Sequence, residues 1–283
     1  MKGLFYCSGI ADESADRLDD QIKMHKQLGW DYIELRNING KTIDTTDRDE
    51  FNKIKTALSE NHIKVSCLAS DVGKLHLGGD KYKPFEEDIT SLNKLIVYAK
   101  ELNCNYIRVM AYQQAQLSAD EWRDEGVRRL QELAKIAEKN NIYLALENCV
   151  GWHAESGQRM AEFLDKVGSN NLVCLYDTGN PDVHHGFSAW DYYQAVKDRV
   201  AYIHVKDSCG LGKGFTYPGD GLSHVVNILE DQYKLGYKGF VSIEPHLAHS
   251  AHLPGLGGTE QTAWDTYKEY GSRLNALIQE IMK

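Results

Sequence analysis

The chain has 283 residues, of which 42% are hydrophobic and 26% charged, values that give material for a sizeable core and exclude a disordered or collagen-like chain. Its 32 Lys and Arg against 41 Asp and Glu leave a net charge of −9, whose field repels polyanions, so no nucleic-acid partner is expected. The segment from Met1 to Glu13 is too short and too acidic for a secretory signal, and no apolar run approaches the roughly 18 residues of a membrane span; a cytoplasmic protein with no membrane partner is expected.

Short runs rich in β-branched and aromatic residues alternate with longer amphipathic stretches, the pattern of βα units around a parallel sheet. In chain order the predicted strands cover residues 3–7, 32–35, 64–69, 106–110, 142–146, 172–176, 201–205 and 240–243. Apolar residues three and four apart predict helices over 16–28, 48–61, 85–103, 119–140, 160–167 and about 259–282. Several helical stretches stop at Gly or Asn just before the next strand, as at Gly29, Asn140-Asn141 and Gly236. No Ser/Pro-rich linker divides the chain, so residues 1–283 read as one α/β domain, a single (β/α)8 TIM barrel. The alternative, a doubly wound open sheet, usually shows a Gly-rich phosphate loop after its first strand, and none is present. Six cysteines (Cys7, Cys67, Cys104, Cys149, Cys174 and Cys209) form no CxxC pair and read as reduced, mostly buried thiols.

A barrel of this kind builds its site at the C-terminal ends of its strands. The last four strands close as Tyr-Leu-Ala-Leu-Glu147, Val-Cys-Leu-Tyr-Asp177, Ala-Tyr-Ile-His204 and Phe-Val-Ser-Ile-Glu244. Strand alternation places Glu147 with Ala145, Asp177 with Leu175 and Glu244 with Ser242, so the four can share the barrel mouth. An acid at the end of an apolar strand is costly unless paired, hydrogen-bonded or bound to metal. Taken singly, Asp177 could cap a helix and His204 could sit satisfied in the core. Together they have one obvious partner, a divalent cation: mixed oxygen and nitrogen ligands suit Mn²⁺, Mg²⁺, Co²⁺ or Zn²⁺.

Glu34 and Arg36 after the second strand, His76, and Arg108 and Tyr112 near the end of the fourth form a second rank. Trp152 and His153 follow Glu147 closely, and an aromatic plane beside a sugar face is a common recognition device. His246 lies two residues past Glu244, on its face if the strand continues, with His249 and His252 beyond it. The loop Gly210-Leu-Gly-Lys-Gly214 has the composition of a phosphate cradle. The candidate substrate-binding residues are Glu34, Arg108, Trp152, His185, Lys206 and His246.

The segments Leu-Glu147-Asn148, Asp177-Thr-Gly-Asn180, His204-Val-Lys-Asp207, Pro218-Gly-Asp-Gly221 and Ser-Ile-Glu244-Pro-His246 lie in the second half of the chain. In order and spacing they resemble the xylose-isomerase-like barrel superfamily of sugar isomerases and epimerases, which also includes inosose dehydratases and apurinic endonucleases. The resemblance implies that Glu147, Asp177, His204 and Glu244 hold one divalent metal ion, Mn²⁺ favoured, and that Glu147 and Glu244 also serve as acid and base. A metal bridging a carbonyl and a neighbouring hydroxyl makes the intervening C–H more acidic and stabilises the enediolate formed on deprotonation. The implied reaction is isomerisation or epimerisation of a keto-sugar or polyol, in a superfamily that often forms homo-oligomers. The nearest alternative is a lyase or dehydratase, in which the same enolate expels a β-leaving group; a sugar-binding barrel without chemistry and an apurinic endonuclease rank lower. Two departures separate the chain from many ketose epimerases. Asn180 stands where they carry a substrate-binding His, which leaves His185 as its candidate replacement, and the stretch from Lys206 to Lys213 lacks their Arg. Phe215-Thr-Tyr217 stands where the endonuclease branch has an Asp-x-His pair.

Overall fold

The computed structural model describes residues 2–77, 84–248 and 259–283; His249, His252 and the side chain of His185 lie outside the described set. Eight strands, β1 (Leu4–Gly9), β2 (Tyr32–Leu35), β3 (Lys64–Ala69), β4 (Tyr106–Ala111), β5 (Tyr143–Gly151), β6 (Leu172–Asp177), β7 (Val200–Val205) and β8 (Lys238–Ile243), alternate with helices. The helices are α1 (Leu18–Gln27), α2 (Arg48–Glu60), α3 (Phe85–Glu101), α4 (Ala119–Asn140), α5 (Gly157–Val167), α6 (Ala189–Val196), α7 (Val225–Leu235) and α8 (Glu260–Ile281). The strands pair in parallel in the order β1-β8-β7-β6-β5-β4-β3-β2. At the seam, β1 and β2 are joined by a single bridge between Ile10 and Glu34. The result is the predicted (β/α)8 architecture, a nearly closed barrel.

Local chemistry sets the boundaries. Asp47 and Ser118 open α2 and α4 with reciprocal capping boxes to Glu50 and Glu121. Asn141 and Gly236 close α4 and α7 in left-handed conformations, at φ 54° and 86°. The observed β5 outruns its predicted end at residue 146 because backbone pairing continues past the apolar stretch, as far as Gly151 opposite Ala111. The eight-residue α6 is too short for periodicity to reveal. Among the described residues no helix is long and apolar enough to cross a membrane.

Outward-facing strand residues such as Ile33, Leu35, Ile107, Val109, Leu144 and Leu146 are wholly buried against the helices, each contributing roughly 1.5–3 kcal/mol. Inside, the barrel is layered. Tyr106, Tyr202 and Phe240 fill the base with tilted and edge-on rings. Above them lies a hydroxyl layer in which Ser8 Oγ meets Ser66 Oγ at 2.7 Å and Tyr202 Oη lies 3.0 Å from Ser66 Oγ. The charged groups occupy the layer above, at the strand ends.

One secondary expectation changes, and the reading of the cysteines as unpaired thiols stands. Residues 210–214 form the turn of a short antiparallel ladder between Asp207–Ser208 and Phe215–Thr216. The amide of Cys209 donates to Gly214 O and that of Lys213 to Gly210 O, so the loop is a hairpin turn rather than a phosphate cradle. All six cysteines are free, with Cys67, Cys104 and Cys174 buried, Cys7 and Cys149 half-buried and Cys209 exposed.

Candidate active site

Glu147, Asp177, His204 and Glu244, from the ends of β5 to β8, converge in the barrel mouth, and one ligand atom of each lies within 4.8 Å of the others. All four are buried. His204 Nδ1 stands 3.2 Å from Glu147 Oε1 and 3.6 Å from Glu244 Oε2. Lys206 Nζ stands 3.2 Å from Asp177 Oδ2 and 2.9 Å from Glu244 Oε2.

The motifs around these residues act as scaffolding. Asn148 bridges β5 to β6: its Oδ1 accepts from the Asp177 amide at 2.6 Å and its Nδ2 donates to Asp177 O at 2.9 Å. Asp177 Oδ1 accepts from the amides of Gly179 and Asn180 at 2.9 and 2.8 Å. A Cβ at Gly179 would meet Lys206 O at 2.9 Å, so the close approach of β6 to β7 requires glycine there. Asp207 accepts from the amides of Ser208, Gly219, Gly221 and Ser223, which organises the Pro218–Gly221 loop. Gly151, at φ 130°, turns the chain out of β5, and His153 Nε2 lies 2.8 Å from Glu147 O.

Glu34 lies beneath His204. Its two oxygens approach His204 Nε2 at 3.0 and 3.1 Å, and its Oε2 also accepts from Tyr202 at 2.8 Å and Ser242 at 2.6 Å. A carboxylate on the far nitrogen of a ligand histidine fixes the ring and its tautomer, leaving Nδ1 directed at the quartet.

A second network, which joins Asp12 and Glu13, unassigned in the sequence reading, to the candidates Arg36 and His246, stands behind Glu244. Arg36 donates through Nε to both oxygens of Asp12 at 3.1 Å, through Nη1 to Glu244 Oε1 at 2.8 Å and through Nη2 to Glu13 Oε1 at 3.2 Å. Glu13 Oε2 accepts from the backbone amide of His246 at 2.7 Å, and the His246 ring lies 2.7 Å from Glu13 Oε1. His246 takes a left-handed backbone, at φ 51°, which re-aims its side chain after β8. Glu13, Glu244 and His246 form a second candidate ligand cluster, but the Arg36 guanidinium already bonds to both of its carboxylates.

A cavity of about 440 Å³ opens above the quartet, and its walls include Arg108, Glu147, Lys206, Glu244 and His246. Trp152 is not among the lining residues; it is buried beyond the turn at Gly151, with the Arg159 guanidinium 4.8 Å and that of Arg123 5.8 Å from its ring centroid. His184, beside the position expected for His185, does line the cavity.

The electrostatics favour a cation. Burial pushes the Glu147 carboxyl up, but Arg108, with Nη1 3.2 Å away, and His204 overcome it and bring the group down to about 2. Burial likewise opposes ionisation of Glu244, and Lys206, His246, His204 and Arg36 together hold it well below the usual carboxylate range. Asp177 remains raised because burial outweighs Lys206. Against desolvation, Glu34, Glu147 and Glu244 lift the His204 imidazole well above its ordinary value. Six buried carboxylates (Asp12, Glu13, Glu34, Glu147, Asp177, Glu244) meet three permanent cations (Arg36, Arg108, Lys206), leaving three negative charges for imidazoles or a bound ion to balance. Glu147 Oε2, Asp177 Oδ2 and Glu244 Oε2 accept no aligned hydrogen bond. Three such oxygens beside an imidazole nitrogen fit a divalent metal ion.

The fold is that of a known family. Residues 22–266 match the xylose isomerase-like TIM barrel family, and the chain belongs to it. Among curated relatives, an inosose dehydratase of Geobacillus kaustophilus is 25% identical over 47% of this chain and 49% of its own. A D-psicose 3-epimerase of Enterocloster bolteae is 25% identical over 50% of this chain and 45% of its own. The chain thus spans about half the length of the curated relatives it matches. Among solved structures, the IOLI protein with a bound zinc atom superposes with a TM-score of 0.73 at 18% identity, covering 99% of both chains.

Proposed function

We propose that the protein is a divalent-metal-dependent isomerase or epimerase of a keto-sugar or related polyol, working by proton transfer through an enediolate. The observation that carries this reading is the convergence of Glu147, Asp177, His204 and Glu244, with three carboxylate oxygens that face Arg108 or Lys206 as ion pairs but accept no aligned hydrogen bond among the described residues. These four residues would hold one ion, Mn²⁺ favoured over Mg²⁺, Co²⁺ and Zn²⁺, and when bound it supplies Lewis acidity toward a carbonyl and its neighbouring hydroxyl.

The chain's own groups do the rest. Glu147 and Glu244 flank His204 Nδ1, so one can take a proton from the carbon beside the carbonyl while the other delivers one to the opposite face. Both carboxylates are held below the ordinary range and enter the reaction ionised, so either can serve as the base, and the other must take up a proton before it delivers one. Arg108, Lys206 and His246 line the cavity and are assigned to the substrate's oxygens. Glu34, engaged by His204, Tyr202 and Ser242, acts through the His204 ring rather than on substrate.

A dehydratase is the second reading. Lys206 Nζ, 2.9 Å from Glu244, is a proton donor beside the carboxylates and could protonate a departing hydroxide, and one relative is named an inosose dehydratase. NMR of the metal-loaded protein with keto-sugars and inososes in D₂O separates the two. Deuterium at the carbon beside the carbonyl, with return of an isomer, is the expected result; a dehydrated product alone would transfer the assignment to the lyase.

A further inference from the structure

Arg36 and Arg108 are both almost wholly buried, yet their surroundings differ. Every nitrogen of Arg36 donates to a carboxylate. Among the described residues Arg108 stands beside one carboxylate oxygen, Glu147 Oε2 at 3.2 Å; its Nη2 reaches Ser70 O only at 3.5 Å, and its Nε has no acceptor. A buried guanidinium with unfilled donors is unfavourable unless something else supplies the acceptors. Arg108 lines the mouth cavity, so a ligand there can supply them.

The pairing of the two cavity cations sharpens this. Among the carboxylates paired with Arg108 and Lys206 are Glu147, Asp177 and Glu244, all members of the proposed ligand set. A divalent ion held by those carboxylates would compete with Arg108 and Lys206 for them and leave more of the two cations' donors open to a ligand, while Glu244 is shared with Arg36 as well. Lys74 adds a further cation to the same cavity wall. Its loop is stitched to the end of β4 by Met110 N to Val72 O at 2.9 Å and Tyr112 N to Gly73 O at 2.6 Å, and its Nζ pairs with Asp71 at 2.9 Å. Met110, Cys149 and Val150 contribute apolar surface but no compensating charge.

We infer that the substrate carries a carboxylate, received on the β3–β4 wall by Arg108 with help from Lys74, while Lys206 faces the reacting carbons. The inference rests on the metal-dependent reading above and narrows it from keto-sugars in general to acidic ones: keto-uronates or cyclic hydroxy-keto acids. A planar guanidinium with donors to spare matches a carboxylate in two-point geometry, which a neutral hydroxyl cannot reproduce.

The test uses the full chain loaded with Mn²⁺ and two matched pairs of probes, D-fructuronate against D-fructose and quinate against myo-inositol, with binding followed by calorimetry. The acid of at least one pair should bind tenfold or more tighter than its neutral partner. Arg108→Gln should reduce that preference to threefold or less while metal content stays at one equivalent. Lys74→Gln, outside the ligand set, should weaken it by a smaller factor and covers the case in which Arg108→Gln does not fold. Equal or weaker binding of both acids, or no binding of either at millimolar concentration, overturns the inference. So does a preference that survives both substitutions, since chelation at the ion would then explain it. Failure to take up any metal is a different result, and it removes the metalloenzyme reading itself.

Discussion

Arg36 and Arg108 serve the two glutamates of one centre under opposite conditions. Arg36 closes a structural gap: β1 and β2 share one bridge, and its ion pairs to Asp12 and Glu13 span that seam while its Nη1 holds Glu244. Arg108 sits within a continuous sheet, has Glu147 alone at contact distance among the carboxylates of the described residues, and lines the cavity. Burial alone does not distinguish a tie from a ligand-binding group. The number of donors already satisfied does.

Stability measurements can break this comparison. Arg36→Met leaves Asp12, Glu13 and Glu244 buried without their common cation and should cost about 3–5 kcal/mol in denaturant unfolding. Arg108→Met should cost only about 1–2 kcal/mol, because Glu147 keeps His204 as a partner. Equal losses would mean that both arginines are structural.

A titration outside both networks supplies the control. His25 is fully buried on α1, with its ring against Tyr32 O and Tyr267 Oη at 2.7 and 3.0 Å, and burial lowers it to about 4. The unfolded chain takes up this proton first, so stability is lost as the pH falls from about 6.5 and the loss is complete below about 4, amounting to roughly 3 kcal/mol. Unfolding curves of wild type and His25→Gln across that range should diverge by this amount, and Arg108→Met should follow wild type.

Glu34→Gln tests the support beneath His204. It keeps the shape but weakens the hold on Nε2, and metal affinity should fall ten- to a hundredfold, about 1.4–2.7 kcal/mol, in competition with a chelator. The smallest effect is expected at Trp152→Phe: KM unchanged, with a stability loss of about 1 kcal/mol from the reduced packing beside Arg123 and Arg159.

The eight strands were legible because apolar runs of strand length recur between amphipathic stretches, and the quartet because each member directly follows such a run at an inward parity. The Arg36 network was not, since it unites the ends of β1, β2 and β8, and Asp12 and Glu13 look like solvent acids in a short turn. Their position immediately beyond the first strand, at the end where a barrel builds its site, was the available signal. Trp152 misled by adjacency: β5 continues past Glu147 and turns outward at Gly151, carrying the indole away from the cavity. Glu34 stood out in the sequence only as an acid beside the second strand; the positions of His204, Tyr202 and Ser242 show that its oxygens are already engaged.

The central claim is that these four side chains form one divalent-metal site. Metal content by inductively coupled plasma mass spectrometry, on protein prepared without chelators and on Asp177→Ala and His204→Ala, tests it most directly. The account predicts about one equivalent in the wild type and its loss from both variants. A wild type that stays empty when offered Mn²⁺, Co²⁺ or Zn²⁺, or variants that keep their full equivalent, would contradict it.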